Sequence, residues 1–318
     1  MTLFVPGTYA SVGELAARLD RGFRVSTDGA RLEGDALPFA SRIEWEDNPH
    51  DGSFGQAFSF GTCSREEARA IDQARGAVVL QLPVELHTFR AEIGSLASAL
   101  RHAGAIAFRI EQSKLGFVAE AWLQRLLSEE TLPLIRLAVV MLGGAETTRT
   151  LGMHVFSLPD TEIEASGREA NIWLDVMSLF QLEEDPVLGS GHTFAPDAET
   201  PRRVMEWWPD TNYPPGHVCH NPFGVLRLGA PGSRGRPQSK LRPTFMPALA
   251  VLLEAARKQK GAPLTREEIE TMRDEAICMT MDPRDAREME RARGYADIDP
   301  ERAVECWAAL EAVRSGGA

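Results

Sequence analysis

The sequence predicts an α+β fold: a mixed sheet with helices, of the kind a ferredoxin-like sandwich with additions would hold, plus a C-terminal helical extension. Three observations carry this expectation. Short apolar or alternating runs, at residues 76–82, 105–110, 134–142 and 223–228, have the length and β-rich composition of strands. Between them lie stretches of helical periodicity, such as Phe89, Ile93, Leu96 and Leu100. From Phe245 onward, helical patterns follow one another with capping residues at their ends.

The N-terminal part, residues 1–62, reads as a small α/β segment. Ser11 with Glu14 suits a capped helix carrying Leu15 and Leu19. Asp28-Gly29 marks a hairpin between Phe23–Ser26 and Ala30–Leu32, and Arg42–Glu46 alternates around Ile43 and Trp45 as a strand. The loop DNPHDGSFG at 47–55 has the composition of a calcium loop but lacks its ligand spacing and terminal Glu, so it reads as turn chemistry.

Residues 63–229 read as the central α+β core. Ser64 and Glu67 form a capping box, and the β-α-β order from Gly76 to Ile110 implies two parallel strands in one sheet. A helix with Val118, Trp122 and Leu126 in register leads to Leu134–Leu142, which reads as a buried strand. Gly143-Gly144 turns the chain into a second strand over Thr148–Phe156. After Leu158-Pro159-Asp160 comes a short strand with Ile163 on one face and Asp160, Glu162 and Glu164 on the other. A helix over 168–181 follows, with Ile172, Val176, Leu179 and Phe180 as its inward stripe. Strands at 188–194, 203–207 and 223–228 close the core.

The segment Thr150-Leu151-Gly152-Met153, with Phe156, Leu158-Pro159-Asp160, Glu162 and Glu164, resembles the bacterial domain of unknown function 4261 family. The resemblance extends more weakly over residues 76–228. It implies a fold and no catalytic assignment. Residues 230–243 read as a linker carrying Arg234, Arg236, Lys240 and Arg242, and 244–318 as a helical region. Within it, Thr265 and Glu268 form a capping box, and Gly294 stops a helix begun at Pro283. This region resembles a C-terminal helical module of uncharacterised bacterial proteins.

Bulk properties narrow the function. A net charge of −12 and a pI near 5.2 argue against a general nucleic-acid binder and permit a basic protein partner. The four cysteines are scattered without a CxxC, as expected of reduced thiols. There is no basic n-region with an apolar core at the start, and no apolar run of about 18 residues. The expected setting is therefore the cytoplasm of a bacterium, away from the membrane.

Two constellations carry chemistry. His217, Cys219 and His220, with His154 or His192 as further ligands, offer zinc-type donors, although the spacing matches no standard zinc signature. Neither Cys219 nor Ser190 sits in a nucleophile setting, and GxSxG, GxGxxG and P-loop patterns are absent. Asp160, Glu162 and Glu164 could meet a basic partner or protect an edge strand. No cofactor is expected; zinc is the one that the donors would suit. The leading expectation is a protein-binding module, of immunity or accessory type, with an acidic surface. The rivals are a metal-dependent hydrolase on the His/Cys cluster and a structural homo-oligomer built on the C-terminal helices. Trp207, Trp208 and Tyr213 read as core and rim packing, and as interface anchors where exposed.

Overall fold

A computed structural model of the protein describes residues 1–19, 22–35, 37–59, 63–232, 235 and 241–316. The chain is α+β and forms two compact units, residues 1–140 and 141–318. The basic side chains expected at Arg234, Arg236 and Lys240 lie outside the described residues.

In the first unit, strands β1 (Thr2–Gly7), β2 (Phe23–Val25), β3 (Arg31–Gly34), β4 (Ser41–Asp47), β5 (Gly76–Gln81), β6 (Ala107–Ile110) and β7 (Leu115–Val118) form one sheet. Its order is β2-β3-β4-β5-β1-β6-β7. The helices are α1 (Val12–Arg18), α2 (Ser53–Gln56), α3 (Arg65–Asp72), α4 (Arg90–His102), α5 (Ala119–Leu126) and α6 (Thr131–Ala138). The boundary expected at residue 62 therefore does not separate domains. Strand β1 pairs with β5 and β6, and β4 pairs with β5, so the first 62 residues complete the sheet that the next 78 begin. Strands β5 and β6 run parallel, as their β-α-β order implies, but β1 lies antiparallel between them. The succession β5-α4-β6-β7-α5 follows a ferredoxin-like order as far as α5.

Capping residues set the ends of these helices as their sequence suggests. Ser64 and Glu67 form a full capping box on α3, and Ser11 caps α1 while Glu14 reaches Ala10 N–H. The 47–55 loop is turn chemistry: Asn48 accepts from His50 N–H and donates to the Asp72 and Ala74 carbonyls. An aromatic cluster of Phe4, Phe54 and Phe58 seals one end, with Phe4 and Phe54 edge to face at 5.0 Å.

The expected strand at 134–142 is mostly helix. Residues 131–138 form α6, with Pro133 in the first turn, where it costs no hydrogen bond. An apolar run without clear period fits a helix buried on all sides as well as a buried strand, and Leu134, Ile135, Leu137 and Ala138 are all buried.

The second unit is built on a sheet of β8 (Val140–Gly143), β9 (Thr148–Leu151), β10 (Asp160–Ile163), β11 (Thr193–Phe194), β12 (Arg203–Trp208) and β13 (Val225–Pro231). Its order is β11-β12-β13-β10-β9-β8. Helix α7 (Gly167–Glu183) covers one face, packing Ala170, Trp173, Leu174 and Met177 on Ile163, Met205, Leu226 and Leu228. The expected inward stripe is rotated: Ile172 is exposed, and the buried side runs through Trp173, Leu174, Met177 and Gln181. A helix apolar on several sides does not reveal its buried face by periodicity alone.

The strand expected over Thr148–Phe156 ends at Leu151. Gly152 takes φ 121°, open to glycine and strained for other residues, and starts a 3-10 turn at Met153–Phe156. The C-terminal region is not a separate domain. It comprises β14 (Arg242–Phe245), α8 (Leu249–Lys260), α9 (Arg266–Glu275), β15 (Cys278–Met281), α10 (Pro283–Arg293) and α11 (Ala303–Gly316). Its core of Leu249, Leu253, Ile269 and Trp307 packs against Trp207 of the sheet. Strands β14 and β15, with α8 and α9 between them in the chain, form an antiparallel pair within the expected helical region. The Thr265–Glu268 capping box on α9 and the Gly294 stop of α10 are as the sequence suggests. Asp297 caps α8 from a distance, accepting from the Leu249 and Ala250 amides.

Candidate functional site

The face of the second sheet opposite α7 is charged. Alternation along each strand puts Met205, Trp207, Leu226, Leu228 and Ile163 toward α7, and Glu206, Trp208, Arg227, Glu162 and Arg149 away from it. Register then sets up a cross-strand row of alternating sign: Glu206 opposite Arg227, Arg227 beside Glu162, and Glu162 opposite Arg149. Such cross-strand pairs stabilise a solvated face. Arg227 Nε lies 3.1 Å from Glu162 Oε1 in an ion pair, and its guanidinium lies 4.8 Å from the Trp208 ring centre. Arg302 stacks on the same ring at 3.8 Å and pairs with Glu206 at 3.4 Å. Two guanidiniums thus contact the Trp208 ring, which desolvates part of both cations.

This face opens into a groove of about 740 Å³. Among the described residues, five carboxylates line it (Glu162, Glu164, Glu206, Asp299 and Glu301) against two arginines, Arg227 and Arg302. The excess is part of a wider asymmetry. Residues 141–200 hold eleven carboxylates and two arginines, so that stretch carries −9 of the net −12. A cleft lined mainly by one sign of charge concentrates ligands of the other sign.

The acidic row expected at Asp160, Glu162 and Glu164 does not form as a row. Glu162 and Glu164 reach the groove, Glu164 from just beyond the end of β10. Asp160 is 2% exposed, and β10 lies between β9 and β13 rather than at an edge. Asp160 Oδ1 accepts from Thr150 Oγ1 at 3.0 Å and Met153 N–H at 3.2 Å, and Oδ2 from Asn221 Nδ2 at 2.8 Å. Asn221 N–H donates to Asp210 Oδ2 at 2.8 Å. Burial pushes the Asp160 carboxyl up to about 7, aided by the Asp210 charge and opposed by the bonds from Asn221, Met153 and Thr150. This is a tie that folds the 209–224 loop onto the sheet. Gly224 completes it at φ 82°, where a Cβ would meet the Trp208 carbonyl at 2.5 Å.

The expected metal set does not converge. His154 Nε2 contacts the Val218 carbonyl at 3.2 Å, the His217 ring accepts from Cys219 N–H at 3.1 Å, and His220 Nδ1 donates to the Tyr213 carbonyl at 3.0 Å. Tyr213 and His217 stack at 4.9 Å, and Cys219 is buried. These contacts are loop packing. His192 precedes β11, and three strands separate β11 from β9 beside His154, about 19 Å at the usual strand spacing. Among the described residues no group of three His, Cys, Asp or Glu is placed to hold a metal ion. All four cysteines are free thiols, and burial pushes the Cys306 thiol up to about 12.

A second cavity, of about 390 Å³, lies on the α7 side of the sheet and shares Ser190, Asp299 and Glu301 with the groove. Gln181, Trp207, Phe223, Leu226, His192 and segments of the C-terminal region line it. Neither it nor the groove has His154, His217, Cys219 or His220 in its wall. Sequence reasoning missed Glu206, Asp299 and Glu301. Alternation along Arg203–Trp208 places Glu206 with Trp208 and was legible; Asp299 and Glu301 reach the groove only through the tertiary fold. No helix among the described residues is long and apolar enough to cross a membrane. Compared with known proteins, the chain matches no family model, no curated protein and no solved structure.

Proposed function

We propose that this protein is a protein-binding module, of immunity or accessory type, that takes a basic segment of a partner in the groove of the second sheet. The carrying observation is the groove itself, where among the described residues five carboxylates stand against two arginines whose charges are already engaged by Glu162 and Glu206. Cations of a partner would meet Glu164 and the Asp299–Glu301 rim, and Trp208 supplies an aromatic floor fixed by its two guanidiniums. Electrostatic steering of this kind raises association rates and weakens with salt. The resemblance to the domain of unknown function 4261 family supplies no activity, and the reading does not rest on it.

The test is affinity capture from the native host with wild type and with a Glu164→Lys/Glu206→Lys double variant. A basic protein retained by wild type at low salt, and lost both with the variant and at about 1 M salt, supports the reading. Retention of the same proteins by both forms, or of none, overturns it.

A homo-oligomer is the second reading, and β15 is the observation that favours it. Among the described residues this strand has one partner, β14, and is flanked by Ile277, 73% exposed, with Met279, 50% exposed, upon it. Sedimentation of wild type against Ile277→Glu/Met279→Glu tests it: a single-chain mass for wild type removes the reading. The metal-dependent hydrolase has no such support: His192 stands apart, and His154, His217 and His220 use ring nitrogens on backbone groups of the 209–224 loop.

A further inference from the structure

We propose that β15 pairs antiparallel with β15 of a second copy of this chain, about a two-fold axis at Met279, so that the two β14–β15 pairs join into one four-stranded sheet. This pairing rests on the homo-oligomer reading and gives that reading a register.

The ladder between β14 and β15 fixes which backbone groups stay open. Met246 N–H donates to the Ile277 carbonyl at 3.0 Å, so residues 246 and 277 form a hydrogen-bonded pair. Alternation along the register then makes Thr244–Met279 a bonded pair, and Phe245–Cys278 and Pro243–Thr280 non-bonded ones. The position of Pro243 agrees, because its missing N–H falls where the ladder needs no donor. Cys278 and Thr280 therefore turn their N–H and C=O groups away from β14. Among the described residues no strand pairs with that side of β15, and Cys278, Met279 and Thr280 are all exposed.

This edge is complementary to itself in one register. With Met279 opposite its own mate, Cys278 of each copy faces Thr280 of the other, and both donors and both acceptors find partners. A two-fold at Cys278 would set Thr280 against Ala276, whose N–H is already given to the Met272 carbonyl. A two-fold at Thr280 would set Cys278 against Asp282, whose carbonyl already accepts from Ala286 N–H.

The same register gathers the apolar side chains. Ile277, Met279 and Met281 share one face of β15, and Met246 lies across from Ile277 on that face. Ile277 is 73% exposed, Met279 50% and Met246 42%. Pairing sets Met279 on its mate and Ile277 on Met281 of the second copy, in one apolar strip. Charge complements it. The two-fold brings Glu275, at the end of α9, beside the N-terminus of α10 of the second copy, where a carboxylate is favoured. Residues 241–318 hold twelve Lys and Arg against fifteen Asp and Glu, so copies meet here without the repulsion of the 141–200 stretch.

So short an edge buries less than the roughly 1,200 Å² of stable interfaces, which makes the dimer a weak one. Sedimentation of the full chain between about 5 and about 500 μM is expected to pass from single-chain to double mass. Register is read by mild oxidation in a Cys278→Ser background. Met279→Cys places two thiols in a non-bonded pair, with Cα atoms about 4.5 Å apart, inside the disulfide range. Thr280→Cys places them two residues out of step, roughly 8 Å apart, beyond that range. The first variant is expected to give covalent dimer at least about tenfold faster than the second. Thr280→Pro deletes an N–H that only the second copy uses, and is expected to raise the dimer dissociation constant about tenfold or more while the chain keeps its fold.

A single-chain mass for wild type up to about 500 μM overturns both this pairing and the homo-oligomer reading, and leaves the edge to a strand of another protein. A wild-type dimer in which the two cysteine variants link at equal rates overturns the pairing alone. If Thr280→Pro fails to fold, the cysteine comparison still decides.

Discussion

The two units bury polar groups very differently. Among the described residues the first unit buries four polar side chains, Ser41, Asn48, Gln112 and Ser113, all uncharged. The second buries eleven, including Asp160, Arg203, Asp210 and Asp297, in a chain only modestly longer. In the first unit local devices suffice: caps, Asx turns and a continuous antiparallel sheet satisfy the backbone. In the second, side chains far apart in sequence must tie loops and helix ends together, as Asp160 does with Asn221 and Asp297 with α8. Buried charge costs stability unless it is fully paired, so the unit that carries it also holds the groove and the cavity at fixed geometry.

The largest expected effect breaks the second unit at its tie. Asp160→Ala leaves the Asn221 amide, Met153 N–H and Thr150 hydroxyl without their acceptor, a loss of about 3 kcal/mol or more in urea denaturation. Gln112→Ala in the first unit removes one acceptor, for Thr2 N–H, and is expected to cost about 1 kcal/mol. Equal losses would erase the contrast between the units.

Next in size is a pH dependence in the second unit. The Asp160 carboxyl titrates near 3.8 unfolded and about 7 folded, so its contribution is full below 3.8 and is lost as pH rises towards 7. Burial lowers His154 from 6.5 to about 4, with Asp210 opposing and the His220 charge assisting. Its contribution is full above 6.5 and is lost as pH falls towards 4. Between about pH 4 and about pH 6.5 the two slopes, each of order 1.4 kcal/mol per pH unit, oppose one another. Asp160→Asn is therefore expected to make stability rise with pH across that range, and His154→Gln to make it fall. Denaturation midpoints of the two variants read this directly, and parallel pH profiles would refute it.

Smaller effects sharpen the comparison. Ser64→Ala deletes the capping box of α3 and is expected to cost about 1 kcal/mol, the scale of the first unit's local devices. Glu162→Gln on the solvated face of the second sheet is expected to cost less than about 0.5 kcal/mol, because a partly exposed ion pair is worth little to stability. A large loss there would mean that the charged row is part of the core rather than a surface for a partner.

Much of the fold was legible because it is written locally. The Asp28-Gly29 hairpin, the strands read at Arg42–Glu46, Arg203–Trp207 and Phe223–Leu228, the boxes at Ser64 and Thr265 and the Gly294 stop each follow from residues within one turn or one strand pair. The errors arose where several partners compete for one apolar run. The 131–138 segment is apolar apart from Thr131 and Arg136, so neither period nor propensity readily distinguishes a buried helix from a buried strand. Strand β1 carries Pro6, which cannot donate to a ladder, yet its carbonyl accepts from Ile106 N–H inside the sheet. Of the acidic trio, Glu162 and Glu164 face a groove while Asp160 is buried, a division that depends on the 209–224 loop folding over one end of β10.

By itself the sequence determined the fold class, the acidic balance, most helix ends and the alternation that puts Glu206 with Trp208 on one face. These follow from short-range geometry: strand period, capping bonds and net charge need no knowledge of what lies across the molecule. Only the tertiary structure decided which strands share a sheet, where the two units divide, that Asp160 is enclosed and that His192 stands apart from the other histidines. Those outcomes rest on contacts between residues tens of positions apart, such as Asn221 with Asp160 and Asp297 with α8, whose energies depend on burial that no local pattern reveals.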